Sequence, residues 1–480
     1  MINYGLILLL NIFNFAVSQF ILEFKRDINL NETMTNNEIF TTLAYNDLYK
    51  HLKLGTPGKE LKVSISFKEK SLVILGSKIK RSNIFNESNS DTYKVISDEI
   101  YLIKNQIFNG YISEDIIQLN NLKMKINFFL GEEIYKDSYS FDDEYEPINY
   151  SGYLGLAMKS FFNNDLPDSL PTYLYNNYKN EYNIKSPFSI IFDNPNDMEC
   201  KGKLILSGFP HEYNNSYHKS QYISSNLQYN ENNMIDWCLA LDNVYYGNDI
   251  IDKNKKIVFR AELGVIIIPG NFFNYLTNNY FKEYQEKKIC NRSYFYLIGE
   301  QYDYYYCSIE IDIKKFNGIN FELKDINFNF SMTNNELFYE YNNKYYFLMI
   351  SKNYKNQFYI FGSSIMKKYN FVFDVHNGRV GFYNLNISVN NNNDSNNNND
   401  SYNNNSNSNN NNNNSNNNNK SNNNNKSKRF LFIASIVILS ALIIIVLIYI
   451  LWIYFKRPRD QRKNELNDDF NYISKTDIIN

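Results

Sequence analysis

A short run at residues 63–75, VSISFKEKSLVIL, sets a hydroxyl (Ser66), an ammonium (Lys68) and a carboxylate (Glu69) around one small charged turn in a strand-like segment. Serine is a useful nucleophile only beside a base that takes its proton. His51, His211, His218 and His376 are scattered along the chain, and no Gly-x-Ser-x-Gly elbow frames a serine, so a Ser66–His–Asp arrangement has no support. Neither Cys-x-x-Cys nor His-x-x-x-His spacing occurs, so no metal and no cofactor is expected. With a formal charge of −2 over 480 residues, no global field favours nucleic acid. The chain is long enough for two lobes, each with its own core.

The elements that would position such groups read as mainly β. Apolar runs such as ELKVSISF, MKINFFLG, PFSIIF, GKLILSGF, WCLALDNVYYG and YNFVFDVHNGRVGFY are short, rich in Val, Ile, Phe or Tyr, and bounded by Asn, Gly or Asp. The 42 Tyr and 36 Phe suit pleated surfaces. A few short helices interrupt the strands. One is expected over Leu170–Lys179, with Pro171 near its start. Another is expected from Asn271, capped by that Asn after Pro269 and carrying Phe272, Leu276 and Tyr280 at helical spacing.

The chain ends set the topology. Residues 1–18, MINYGLILLLNIFNFAVS, read as a signal peptide, with an uncleaved anchor as the alternative. Residues 19–44 form a short N-terminal segment. Residues 390–428 are almost wholly Asn and Ser, too polar to offset the entropy of ordering, and read as a disordered stalk. Residues 429–455 include an uncharged run, Phe430–Phe455, long enough to span a bilayer. The larger basic cluster follows it, so the tail, 456–480, is expected in the cytosol and the bulk in the lumen or outside. That is a single-pass type I protein of the secretory pathway. Four cysteines in an oxidising compartment favour two disulfides. Of the three possible pairings, Cys290–Cys307 and Cys200–Cys238 close the smallest loops; free buried thiols are the alternative. Sequons such as Asn31-Glu-Thr33 and Asn386-Ile-Ser388 are compatible with a lumenal face.

Several of these runs, in order, resemble the pepsin-like aspartic peptidases, and most closely their membrane-anchored plasmepsin-type members. The strongest match is residues 358–382, FYIFGSSIMKKYNFVFDVHNGRVGF, with SGYLGLA at 151–157 as its sister element; SPFSIIF, GKLILSGF and the Trp237 strand follow in the family's order. The resemblance implies a bilobal fold, with an N-terminal lobe over 45–185, a C-terminal lobe over 186–389 and a cleft between them. It also implies one catalytic Asp per lobe, each in an Asp-Thr/Ser-Gly turn. Two carboxylates about 3 Å apart share a proton, one acting as base on a water and the other as acid.

Counting from Gly55-Thr56-Pro57 places the first triplet on Ser66-Phe67-Lys68. Counting back from Pro269 places the second on Arg260-Ala261-Glu262. A serine hydroxyl is no base on its own, and a guanidinium has no lone pair to offer. The turn glycines are replaced by Lys68 and Glu262. The family's flap Tyr falls at Ile103, with Tyr101 two positions away; alternatively Asn109-Gly110 forms a tight turn and shortens the flap. Charges at a partly buried floor need partners, so an ionic contact of Glu262 with Lys68 or Arg260 is expected. The expected function is that of a non-catalytic binding or scaffolding protein, with a peptide or protein partner in the cleft. The alternatives are an active peptidase with displaced acids, Glu69 and Glu262, or a surface adhesion or receptor protein.

Overall fold

The computed structural model describes residues 20–45, 47–79, 84–103, 106–135, 150–158, 166–194, 199–228, 237–297, 300–352 and 358–384. The signal, stalk, membrane span and tail read from the sequence lie outside them. Among the described residues, no helix is long and apolar enough to cross a membrane.

The chain is mainly β with short helices. Strands with one wet face alternate, as in Phe20–Arg26, where Phe20, Leu22 and Phe24 point inward between more exposed neighbours. Strands covered on both faces, such as Leu72–Leu75 and Pro187–Phe192, are buried throughout, which is why their sequences are nearly continuous apolar runs. A 13-stranded and an 11-stranded sheet contain these strands. The larger begins with strands from both ends of the chain: Tyr222–Asn226, Arg379–Tyr383, Phe371–Asp374, Pro187–Phe192, Gly202–Leu206 and Phe20–Arg26, in that order. It continues through Leu48–Leu54 into a first lobe, residues 48–155. The 11-stranded sheet forms a second lobe, residues 238–361.

The two lobes repeat one strand pattern. In the first, Lys59–Ser66 runs parallel to Gly152–Gly155, which pairs antiparallel with Leu72–Leu75, which runs parallel to Leu122–Tyr135. In the second, Asp249–Phe259 runs parallel to Phe358–Phe361, which pairs antiparallel with Ile266–Ile268, which runs parallel to Met349–Lys352. This crossing of a parallel and an antiparallel neighbour brings each lobe's charged turn to the end of its innermost strand.

The helices lie close to where the sequence puts them. Leu170–Tyr182 holds Pro171 in its first turn. Gly270–Leu276 is capped two residues earlier than expected, by Pro269 rather than Asn271, and winds on through Glu286. Asn36–Ala44, here α1, was not anticipated, nor was the single turn Asn334–Leu337; α1 is opened by a capping box between Thr35 and Glu38. The N-terminal segment is thus built into the fold as a sheet strand followed by a docked helix.

One local expectation holds and two are corrected. Cys290 and Cys307 are disulfide-bonded, because they face each other in the hairpin Cys290–Leu297/Glu300–Ser308. Cys200 and Cys238 are not joined by a disulfide; both thiols are buried. Cys200 leads into a strand of the larger sheet while Cys238 opens a strand of the other, so short sequence separation does not make them neighbours. Nor does Asn109-Gly110 form a turn. It lies within Gln106–Leu119, which pairs on both sides, and the hairpin closes where Ile103 faces Gln106. The bulge at Asn109/Gly110 absorbs the irregularity that an Asn-Gly pair announces.

Candidate functional site

Each lobe's innermost strand ends in a turn crossed by a glycine of the neighbouring strand. A Cβ on Gly155 would meet the carbonyls of Ser71 at 2.4 Å and Glu69 at 2.6 Å; a Cβ on Gly362 would meet those of Val265 at 2.2 Å and Leu263 at 2.4 Å. Only glycine admits such close backbone approach. Gly155 therefore corresponds to Gly362, Glu69 to Leu263 and Ser71 to Val265. Stepping back three residues from Glu69 and from Leu263 sets Ser66 against Arg260, Phe67 against Ala261 and Lys68 against Glu262. The strand ladder agrees, since Ser66 pairs with Gly155 while Phe259 pairs with Phe361, one step short of Arg260 and Gly362. The register counted from the proline-bearing motifs is the register of the fold.

Ser66 is 1 % exposed, and its hydroxyl faces its own turn, where Oγ accepts hydrogen bonds from the amides of Lys68 and Glu69, both at 3.2 Å. A side chain that satisfies the turn amides this way stiffens the loop. Lys68 is exposed, so it does not lie on a buried floor.

The two turns meet at the peptide groups of Phe67. Its amide donates to Glu262 Oε2 at 3.2 Å, and its carbonyl accepts from Arg260 Nη1 at 2.6 Å. Both bonds cross between the lobes, spanning more than 190 residues of sequence, and the one from Arg260 has a charged donor, the stronger class of hydrogen bond. Glu262 is 9 % exposed and Glu69 is 4 % exposed, so each turn contributes a buried carboxyl group. What the structure shows of the expected ionic floor is that Arg260 and Glu262 turn toward the Phe67 main chain.

Beneath this junction lies an aromatic layer drawn from both halves. The Phe67 ring packs edge-on against Phe373 and Phe188, and Trp237 meets the same two rings. Trp237 is fully buried and donates its indole N–H to the carbonyl of Leu156 at 2.8 Å, a further bond between the halves. Buried Trp requires such a partner.

Beside the second turn stands α1. Its apolar face, Ile39, Phe40, Leu43 and Ala44, packs with Leu263, Val265, Phe295, Tyr304 and Tyr346. Phe40 stacks on Tyr304 at 4.0 Å. Asn36 Oδ1 accepts from Lys344 Nζ at 2.9 Å and Tyr346 OH at 3.0 Å, and Asn37 Oδ1 accepts from Tyr304 OH at 2.5 Å. The amide of Gly264, within two residues of Glu262, donates to the Ala44 carbonyl at 2.8 Å. Arg26, buried, donates to the carbonyls of Thr42 and Tyr45 at the other end of the helix. None of these anchors was read from the sequence. The capping pattern Thr35-x-x-Glu38 ahead of Ile39, Phe40 and Leu43 was the available signal.

The backbone places Tyr101 and Ile103 on the strand Lys94–Ile103, the first arm of the hairpin; their side chains lie outside the described residues. No curated protein matches this chain. A family model described as eukaryotic aspartyl protease matches residues 48–385. That span runs from the first paired strand of the first lobe past the last strand of the shared sheet, and the chain belongs to the eukaryotic aspartyl protease family.

Proposed function

We propose that this chain is a non-catalytic member of its family: a single-pass type I membrane protein whose pepsin-like ectodomain acts in binding or scaffolding, in the secretory pathway or at the cell surface. The observation that carries this reading is the grip of Arg260 and Glu262 on the Phe67 main chain. Peptide hydrolysis in this family needs two carboxylates that share a proton over a water. At the matching positions stand a hydroxyl engaged with its own turn and a guanidinium engaged with the opposite lobe. Neither accepts a proton from water. These groups fill and fasten the junction. A peptide or protein partner would be taken in the cleft between the lobes, by pairing with a strand edge.

A second reading is favoured by one observation, the burial of Glu69 and Glu262 in these same turns. Buried carboxyl groups from opposite lobes are the raw material of an acid–base pair. Incubating the purified protein with a mixed peptide library between about pH 4 and 6 separates the two, since a proton-sharing pair works in acid. Our reading expects no new peptide termini. Cleavage that disappears in both Glu69→Gln and Glu262→Gln would establish displaced acids instead. A surface adhesion protein is distinguished by partner capture that survives every substitution at the junction.

A further inference from the structure

Five sequons fall on described residues: those at Asn31, Asn86, Asn214, Asn291 and Asn329. The fold treats them differently. Asn86 is half-buried, and its Oδ1 accepts from both the amide (3.2 Å) and the hydroxyl (2.7 Å) of Ser88, capping a short helical turn. Asn214 is also half-buried, its Oδ1 held by the Ser216 amide at 2.9 Å. Asn291 and Asn329 are exposed but sit on paired strands, and Ser293, the hydroxyl partner of Asn291, donates to Asn37 at 3.2 Å.

Asn31 differs from all four. It and Thr33 are both exposed, in the loop between the strand Phe20–Arg26 and α1. The Thr33 amide donates to Asn31 Oδ1 at 3.2 Å, which folds the carboxamide and the hydroxyl-bearing residue into one open turn. Leu30 and Met34 on either side pack against the α1 cluster, while the Asn31 side chain is exposed, so a bulky group on it meets solvent.

We propose that Asn31 is an N-glycosylation site, the sugar donor being a lipid-linked oligosaccharide. The bond formed joins Asn31 Nδ2 to the anomeric carbon of the first sugar. The bond broken joins that carbon to the lipid pyrophosphate, which leaves, and the Nδ2 proton passes to a base on the transferase. The proposal rests on the secretory topology above, because only a lumenal face meets this donor.

The test is expression of the full chain in a eukaryotic cell that N-glycosylates, followed by peptide N-glycosidase digestion in heavy-oxygen water and mass spectrometry of each sequon peptide. We expect heavy-oxygen Asp at position 31, lost in Thr33→Ala and retained in Thr33→Ser. Asn386-Ile-Ser388 and the sequons of the Asn-rich stretch are internal controls of topology. If any of these is modified while Asn31 is not, the proposal fails and the topology stands. If no sequon is modified and the segment before residue 429 is digested by protease added to the cytosolic side of sealed microsomes, the topology fails and takes the proposal with it.

Discussion

Glu262 Oε2, from the second lobe, accepts the amide proton of Phe67, from the first, at 3.2 Å. Arg260 holds the carbonyl of the same residue, so both main-chain polar groups of Phe67 are gripped by side chains of the opposite turn. Arg260 stands at one of the two positions where the family's mechanism requires an acid, and Glu262 at the glycine position of the same turn.

Removing either grip should loosen the lobes rather than unfold one of them. Arg260→Ala is expected to cost about 1–3 kcal/mol, as for loss of a hydrogen bond from a charged donor, and Glu262→Gln about 0.5–1.5 kcal/mol, since the amide still accepts. Both act on the main chain of one residue, so the double variant should lose less than the sum. Denaturant titration of the four proteins measures this.

Arg26 fastens the C-terminal end of α1 through the carbonyls of Thr42 and Tyr45. Burial pushes its pKa down, yet it remains charged at any working pH. Arg26→Met should release α1 and expose residues 27–45 to limited proteolysis several-fold faster than in the wild type, with later segments unaffected. Arg26→Lys should rescue only in part, because an ammonium is more strongly hydrated than a guanidinium and costs more to bury.

His211 provides a pH signature. Its ring packs near Phe209, Tyr222 and Tyr383, with Nδ1 2.6 Å from Tyr383 OH. Burial lowers its pKa, Lys219 and Lys185 lower it further, and Glu212 opposes them. The unfolded chain therefore binds the proton more readily, and stability falls as pH drops through the unfolded value of about 6.5. His211→Gln should flatten the stability profile between about pH 7 and 5, read as the melting temperature across that range.

Cys200 and Cys238 should be silent toward alkylating reagents in the native protein and should both react once it is unfolded without reductant. Recovery of fewer than two modified cysteines, by mass, would show that they are bridged or otherwise blocked.

Much of the candidate site was legible in the sequence. Gly55-Thr56-Pro57, Pro269 and the glycines of the two sister elements sit at fixed distances along strands, so Ser66 and Arg260 could be located by counting. What the side chains do there was not legible, because Phe67 and Glu262 meet only through tertiary structure, 195 residues apart. The same limit explains the cysteines: Cys290 and Cys307 face each other in a hairpin, a local event, whereas membership of different sheets separates Cys200 from Cys238. Asn109-Gly110 carried a genuine turn signal that pairing on both sides of a 14-residue strand overrode. α1 was missed although its capping box and apolar spacing were present, for its nine residues carry little helical propensity and depend on docking.

Hydrogen exchange at the Phe67 amide bears most directly on the cross-lobe grip. The amide should exchange slowly in the wild-type protein and at least several-fold faster in Glu262→Gln and Arg260→Ala, while amides of the strand Pro187–Phe192 keep their protection. Equal exchange at Phe67 in all three proteins would contradict the grip, and with it the reading of these turns as a fastening in place of a catalytic pair.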